Sequence, residues 1–224
     1  AKLKSTYTEA LLNLLDANSR IHTTYNQINT TTGRLSSTNP NLQNIPIRTD
    51  MGLKIRECFI AKPGHKIISS DYSQVELRLM AVVAGVKALK EAFNHGIDIH
   101  AATAAKVFGV PTDQVDHNLR RHAKTINFGV IYGISQYGLA KQLGISADEA
   151  KIYIDNYFRQ MPEIKAYMEK TIAFAHKNGF VLTPYGRKCF VFGINDKNKR
   201  ISSNAERAAI NAPLQGGAAD IIKM

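Results

Sequence analysis

The chain has 224 residues and 44% hydrophobic side chains, enough to bury a sizeable core and too apolar for a disordered segment. No apolar run is long enough to span a bilayer, and two lone cysteines, Cys58 and Cys189, argue against a disulfide framework or a thiolate zinc site and fit a reducing cytoplasm. The formal net charge is +11, and residues 117–200 concentrate it, with 14 Lys/Arg against 6 Asp/Glu. That concentration fits a polyanionic partner or a solvated basic face, and charge alone leaves both open.

In chain order, Ala1-Lys2-Leu3-Lys4-Ser5 starts no signal peptide and carries no initiator Met, as expected of a cut piece. Residues 8–15 are expected to be helical. Residues 22–27 alternate and are rich in β-branched side chains, which predicts a strand. Residues 32–46 carry Gly, Ser, Asn and Pro without periodicity, the chemistry of a long loop, and such loops are usually functional. Arg34 and Gln43 there could bond phosphates or base edges, or be ordinary turn residues. Residues 54–60 and 65–70 read as strands, separated by the Pro63-Gly64 turn. Asp71 follows the second. A carboxylate closing a strand sits on a rigid element facing a cleft, a fitting place for a hard cation such as Mg²⁺. Read by itself, Asp71 is first a cap for the helix expected to follow it, since Asp is a preferred cap.

Residues 86–94, 98–108, 114–132 and 136–143 read as successive helices, with breaks at Gly85, Gly96, Gly109-Val110-Pro111 and Gly133. Another helix begins at Ser146, and Pro162 interrupts it and begins the next, which stops at Gly179. Residues 180–183 and 188–192 flank Pro184-Tyr185-Gly186-Arg187 as a β-hairpin. Residues 195–200 read as a polar loop, and residues 203–224 as a helix interrupted at Pro213 and loosened at Gly216-Gly217.

Within the third of those helices Arg120, Lys124, Phe128 and Tyr132 recur every four residues. That spacing stacks two cations and then two aromatics along one slowly drifting face. Such a face could hold a polyphosphate at one end and a sugar and base at the other.

Four stretches carry a resemblance: residues 32–46, Asp-Tyr-Ser-Gln-Val-Glu-Leu-Arg at 71–78, Arg-x-x-x-Lys-x-x-x-Phe-Gly-x-x-Tyr-Gly at 120–133, and residues 205–220. Together, and in this order, they resemble the palm and fingers of family A DNA polymerases of the bacterial polymerase I type. The resemblance implies an α+β right-hand fold with an incomplete antiparallel β palm and mostly helical fingers. It places the end of the thumb at 1–19, palm at 20–85, fingers at 86–200 and a helix returning to the palm at 201–224. It implies two Mg²⁺ ions, with Asp71 and the Tyr72 carbonyl as metal ligands. Asp71 and Lys124 would be catalytic, and Gln74, Glu76, His100, Arg120, Lys124, Phe128 and Tyr132 would bind nucleotide. Glu76 would crowd a 2′-hydroxyl, and Phe128 would pack near the deoxyribose. Arg34, Arg207, Asn211 and Gln215 would touch the primer–template minor groove, where purine N3 and pyrimidine O2 acceptors are common to all correct pairs. Read without the resemblance, Phe128 is a core aromatic, His100 a structural histidine and the last four are surface polar residues.

The implied partners are primer–template DNA and deoxynucleoside triphosphates, for a monomer in the bacterial cytoplasm that needs no membrane. The family pattern also has a second catalytic aspartate in a His-Asp-Glu turn, and the sequence reaches Met224 without one. The expectation is a palm–fingers piece that is inactive by itself, because one carboxylate cannot assemble a two-metal site. Two alternatives are a single-subunit RNA polymerase and a non-catalytic nucleic-acid-binding module. Glu76 with Phe128 argues for deoxynucleotides over ribonucleotides.

Overall fold

The computed structural model describes residues 3–47 and 49–224; Ala1, Lys2 and Arg48 lie outside it. The chain divides into two compact units, Ala1–Ser73 and Gln74–Met224.

In the first unit a π-type turn, Lys4–Glu9, runs into the short helix α1, Ala10–Leu12. The predicted strand at 22–27 is present as β1, Thr24–Asn26, and pairs antiparallel with β2, Ser36–Thr38, with Tyr25 opposite Ser37. β2 was not foreseen inside the loop chemistry of residues 32–46. It is fastened from the side: Thr23 Oγ1 lies 2.7 Å from Ser37 Oγ and donates to the Pro40 carbonyl at 2.7 Å.

Two expectations fail here. Residues 54–60 do not form a strand. α2, Asp50–Glu57, occupies that stretch, with Thr49 accepting from the Gly52 N–H at 3.1 Å and Asp50 in the first turn. A Thr cap followed by an acidic first turn outweighed the β-like alternation of Lys54-Ile55-Arg56. Residues 65–70 are irregular rather than a strand, and Ile68 is 91% exposed. No neighbouring strand pairs with them among the described residues, and backbone groups that find no ladder remain in water. Asp71 therefore sits in an exposed irregular segment, not at the end of a rigid strand.

The second unit is a helical assembly carrying one hairpin. Its helices are α3, Val75–Val83; α4, Lys87–Asn94; α5, Ile99–Phe108; α6, His117–Ile131; α7, Gln136–Leu143; α8, Ala147–Gln160; α9, Pro162–Asn178; and α10, Lys199–Lys223. Asp98, Asp116, Ser135, Ser146 and Asn198 each accept from a first-turn N–H and so fix the starts of α5, α6, α7, α8 and α10. α6 begins at His117 rather than 114, because Thr112–Gln114 forms a separate 3₁₀ turn. Leu77, Met80, Ile99, Ile126, Ile131, Leu139 and Leu214 sit in one core drawn from α3, α5, α6, α7 and α10.

β3, Phe180–Leu182, and β4, Lys188–Phe190, pair antiparallel as predicted, with Val181 opposite Cys189. Pro213 does not interrupt the last helix. α10 runs unbroken for 25 residues with Pro213 inside it and buried. Its start at Lys199 also takes in residues expected to be loop. The hairpin supports the stretch that follows the proline. Arg187 donates from Nε to Asp220 Oδ1 at 2.8 Å and from Nη2 to the Gly216 carbonyl at 3.1 Å.

Candidate nucleotide-binding face

α6 presents the four-residue repeat as the spacing requires. Arg120 and Lys124 are exposed, whereas Phe128 and the C-cap residue Tyr132 are half-buried against the core. The opposite side of α6 supplies Ala123, Ile126, Val130 and Ile131 to the interior. Phe128 and Tyr132 stand 6.3 Å apart by ring centroid, and His100 of α5 continues the row, 5.9 Å from Phe128.

Arg120, Tyr132 and the neighbouring His100 are each held by a partner. The Arg120 Nε donates to Asp98 Oδ2 at 2.6 Å. Asp98 also accepts from the His100 and Ala101 N–H groups, capping α5. Burial pushes the Asp98 carboxyl upward, but the Arg120 guanidinium and the two backbone donors outweigh it and hold the pKa below the ordinary value. The Tyr132 hydroxyl donates to Glu76 Oε2. Glu76 is a first-turn residue of α3 and is 93% buried, its exposure being 7%.

His100 is 2% exposed. The Asn127 amide donates to its Nδ1 at 3.1 Å, and Asn127 also exchanges hydrogen bonds with Thr103 at 3.1 and 3.2 Å. An accepting Nδ1 assigns the proton to Nε2. The Gln74 side-chain amide nitrogen lies 3.3 Å from Nε2, and only the amide turned over about its last bond would present its oxygen to accept from the ring. Burial, and the nearby Arg120 and Lys124 charges against the opposing Asp98, lower the His100 pKa, so the ring is a neutral N–H donor.

Gln74, Glu76, His100, Arg120, Lys124, Phe128 and Tyr132 thus all lie in one unit, around α6 and its neighbours. Arg207, Asn211 and Gln215 lie four residues apart along α10. Arg207 is exposed, bonded to Asn204 and packed near Gly133, where an added Cβ would meet Arg207 Cγ at 3.1 Å. The Asn211 Oδ1 atom is buried without a hydrogen-bond partner. Arg34, Asp71 and Tyr72 are exposed residues of the other unit.

Asp98, Thr103 and Asn127 were missed in the sequence, although Asp98 carries a readable signal as a helix cap just before His100. Asn127 shows only as a polar residue within the apolar stripe of α6.

A model of DNA polymerase family A matches residues 1–224. The chain belongs to DNA polymerase family A. It is 54% identical to DNA polymerase I of Pseudomonas aeruginosa over all of this chain and 24% of that protein. It is 46% identical to the thermostable DNA polymerase I of Thermus aquaticus over all of this chain and 27% of that protein. The POL domain of Pol1 from M. smegmatis, solved in complex with DNA primer-template and dNTP, superposes with a TM-score of 0.88 at 45% identity. That match covers 99% of this chain and 39% of the other. The family A chain therefore spans about a quarter of the length of these curated relatives.

Family A DNA polymerases generally use divalent metal ions. The Asp71 carboxylate and Tyr72 carbonyl are hard oxygen donors of the right chemistry. Among the described residues, however, no three His, Cys, Asp or Glu side chains converge to hold an ion. The described residues do not complete a divalent-metal site by themselves. Nor is any described helix long and apolar enough to cross a membrane.

Proposed function

We propose that this chain serves template-directed DNA synthesis, the addition of deoxynucleotides to a primer 3′-hydroxyl. The observation carrying the reading is the α6 face, where two exposed cations lead into Phe128 and Tyr132 and the Tyr132 hydroxyl reaches Glu76. Arg120 and Lys124 neutralise the triphosphate, and preorganised charge of this kind is usually the largest single source of rate. The neutral His100 donates from Nε2 to a phosphate oxygen. Phe128 packs against the sugar. Glu76, steadied by Tyr132, crowds the position of a 2′-hydroxyl. Arg207, Asn211 and Gln215, with Arg34, contact the minor groove through acceptors common to all correct pairs. Two Mg²⁺ ions, with Asp71 and the Tyr72 carbonyl among their ligands, would supply charge neutralisation. The protein works as a monomer in the bacterial cytoplasm on primer–template DNA.

The test grafts these 224 residues in place of the matching segment of the Pseudomonas aeruginosa polymerase. The graft should extend primers with deoxynucleotides and not with ribonucleotides. Lys124→Ala should cost about 1.5–3 kcal/mol of triphosphate affinity, the loss of a charge-assisted phosphate contact. A graft that extends poorly, or a Lys124→Ala form with unchanged nucleotide dependence, refutes the assignment.

A further inference from the structure

The outer face of the β3–β4 hairpin has the wrong chemistry for a surface left in water. Its inner face is conventional: Val181, Cys189 and Val191 are buried in a second small core with residues of α10. On the outer face Phe180 stands opposite Phe190, and Leu182 opposite Lys188. Four phenylalanines form a continuous row there. Phe174 of α9 meets Phe180 at 5.8 Å, Phe180 meets Phe190 at 6.1 Å, and Phe190 stacks on Phe192 at 6.5 Å. Cross-strand pairing accounts for Phe180 with Phe190. It does not account for Phe192, which is 81% exposed beside a 56% exposed Phe190.

Cations frame the row. The Lys188 ammonium sits 4.7 Å from the Phe180 ring centroid. Lys170, one turn before Phe174, lines with Phe174 and Leu182 a groove of about 540 Å³ at the other end. Residues 170–200 contain seven Lys/Arg and one acidic residue, Asp196; of the seven, Arg187 is committed to Asp220 and the Gly216 carbonyl of α10. A lysine at each end of the row is charge that an apolar protein partner does not call for. Exposed aromatic rings interleaved with cations are what an unpaired nucleic-acid strand needs, stacking for its bases and charge for its phosphates.

We propose that this hairpin face is a binding surface for single-stranded DNA, the unpaired template, with bases stacked on Phe190 and Phe192 and phosphates on Lys188 and Lys170. The choice of strand rests on the polymerase reading above; the surface chemistry does not. Stacking and charge leave different signatures. Removing a stacking ring weakens binding without altering its salt dependence. Removing a phosphate-binding lysine lowers the salt slope by about 0.7 for a single strand.

The experiment measures fluorescence anisotropy of a labelled oligothymidylate with the 224-residue chain, helical circular dichroism confirming that each variant folds. Phe192→Ala should weaken binding about tenfold at an unchanged salt slope. Phe192→Tyr should restore affinity, Phe192→Leu should not, and blunt duplex binding should not change. Lys188→Gln should reduce the slope. The proposal is overturned if the unaltered chain does not bind the oligonucleotide, if Phe192→Ala binds as the unaltered chain does, or if it loses single strand and duplex alike. A Phe192→Ala form that loses only self-association would mark the row as a contact between copies and also overturn it. In the grafted polymerase, Phe192→Ala should slow extension on long-overhang templates and spare one-nucleotide overhangs. An active graft blind to the substitution sinks this surface and leaves the polymerase reading standing. An inactive graft sinks that reading, while the anisotropy still judges the surface.

Discussion

Gly216→Ala puts two opposing energies on one atom. Gly216 lies within α10, and alanine in a helix interior is favoured over glycine by about 1 kcal/mol. On propensity alone the variant is more stable. The added Cβ, however, would lie 2.6 Å from Thr183 Cγ2, 3.1 Å from Arg187 Nη2 and 3.4 Å from Cys189 Sγ. The first is far inside van der Waals contact. Thr183 is buried at 4% exposure, and its hydroxyl accepts from the Arg187 N–H at 3.2 Å. Its methyl therefore cannot swing clear without breaking the turn. Overpacking of this kind typically costs about 1–3 kcal/mol, and more where the neighbour is pinned. The pinned methyl should outweigh the propensity gain and leave a net loss of roughly 1–2 kcal/mol. Urea unfolding of the chain, followed by helical circular dichroism, reads it as a lower midpoint at an unchanged slope. Thr183→Ser keeps the hydroxyl and removes only the methyl. By itself it should cost about 0.8 kcal/mol, but in the Gly216→Ala background it should cost nothing or stabilise. A Gly216→Ala chain that unfolds at higher urea, or a double variant in which the two losses add, refutes the close packing of hairpin on helix.

Tyr132→Phe removes a donor to the buried Glu76 carboxylate, which should cost about 1–3 kcal/mol in urea unfolding and, in the grafted polymerase, weaken rejection of ribonucleotides. His176 faces an oxygen from each ring nitrogen, Asn195 Oδ1 at 2.7 Å and Glu206 Oε1 at 3.0 Å, and the hydrogen bonds to Asn195 and then Glu206 raise its pKa above the ordinary 6.5. A raised folded-state pKa gives stability that is whole below 6.5 and is lost as pH rises through the folded value, so urea midpoints should fall above neutrality, and Glu206→Gln should flatten that fall. Asp98→Asn keeps an oxygen to cap α5 but removes the charge holding Arg120; stability should change by about 1 kcal/mol or less, and triphosphate affinity of the graft should rise rather than fall.

What could be read from the sequence was whatever a single element decides. The α6 face follows from a spacing of four, and the starts of α5, α7 and α8 follow from the Asp98, Ser135 and Ser146 caps, whereas α6 and α10 begin away from the expected residues. The hairpin follows from its turn residues. The failures fall where a neighbour decides. Residues 65–70 have β-branched side chains but pair with no strand among the described residues, and Ile67 and Ile68 stay in water. Residues 54–60 alternate like a strand, yet the Thr49 cap upstream had already set the helix. Pro213 looked like a break because local rules forbid it in a helix interior. The partners of Arg120 and His100 were hidden for the same reason. Asp98 is 22 residues from Arg120 and Asn127 is 27 from His100, so only the packing of α5 on α6 brings them together.

The Arg120–Asp98 pair explains how the face can be both ordered and available. Both side chains are about 40% exposed, at 44% and 40%, so the ion pair contributes only about 0–1 kcal/mol. A charge-assisted bond from Arg120 to a phosphate is worth about 1.5–3 kcal/mol. An arriving polyanion can therefore take the guanidinium from Asp98. Asp98 is not stranded by the exchange, because the His100 and Ala101 N–H groups still bond it at 2.9 and 3.2 Å. The same carboxylate that aims Arg120 beforehand remains satisfied after releasing it. His100 works on the same principle: Asn127 fixes the ring through Nδ1, so Nε2 can donate to a ligand without the ring losing its orientation.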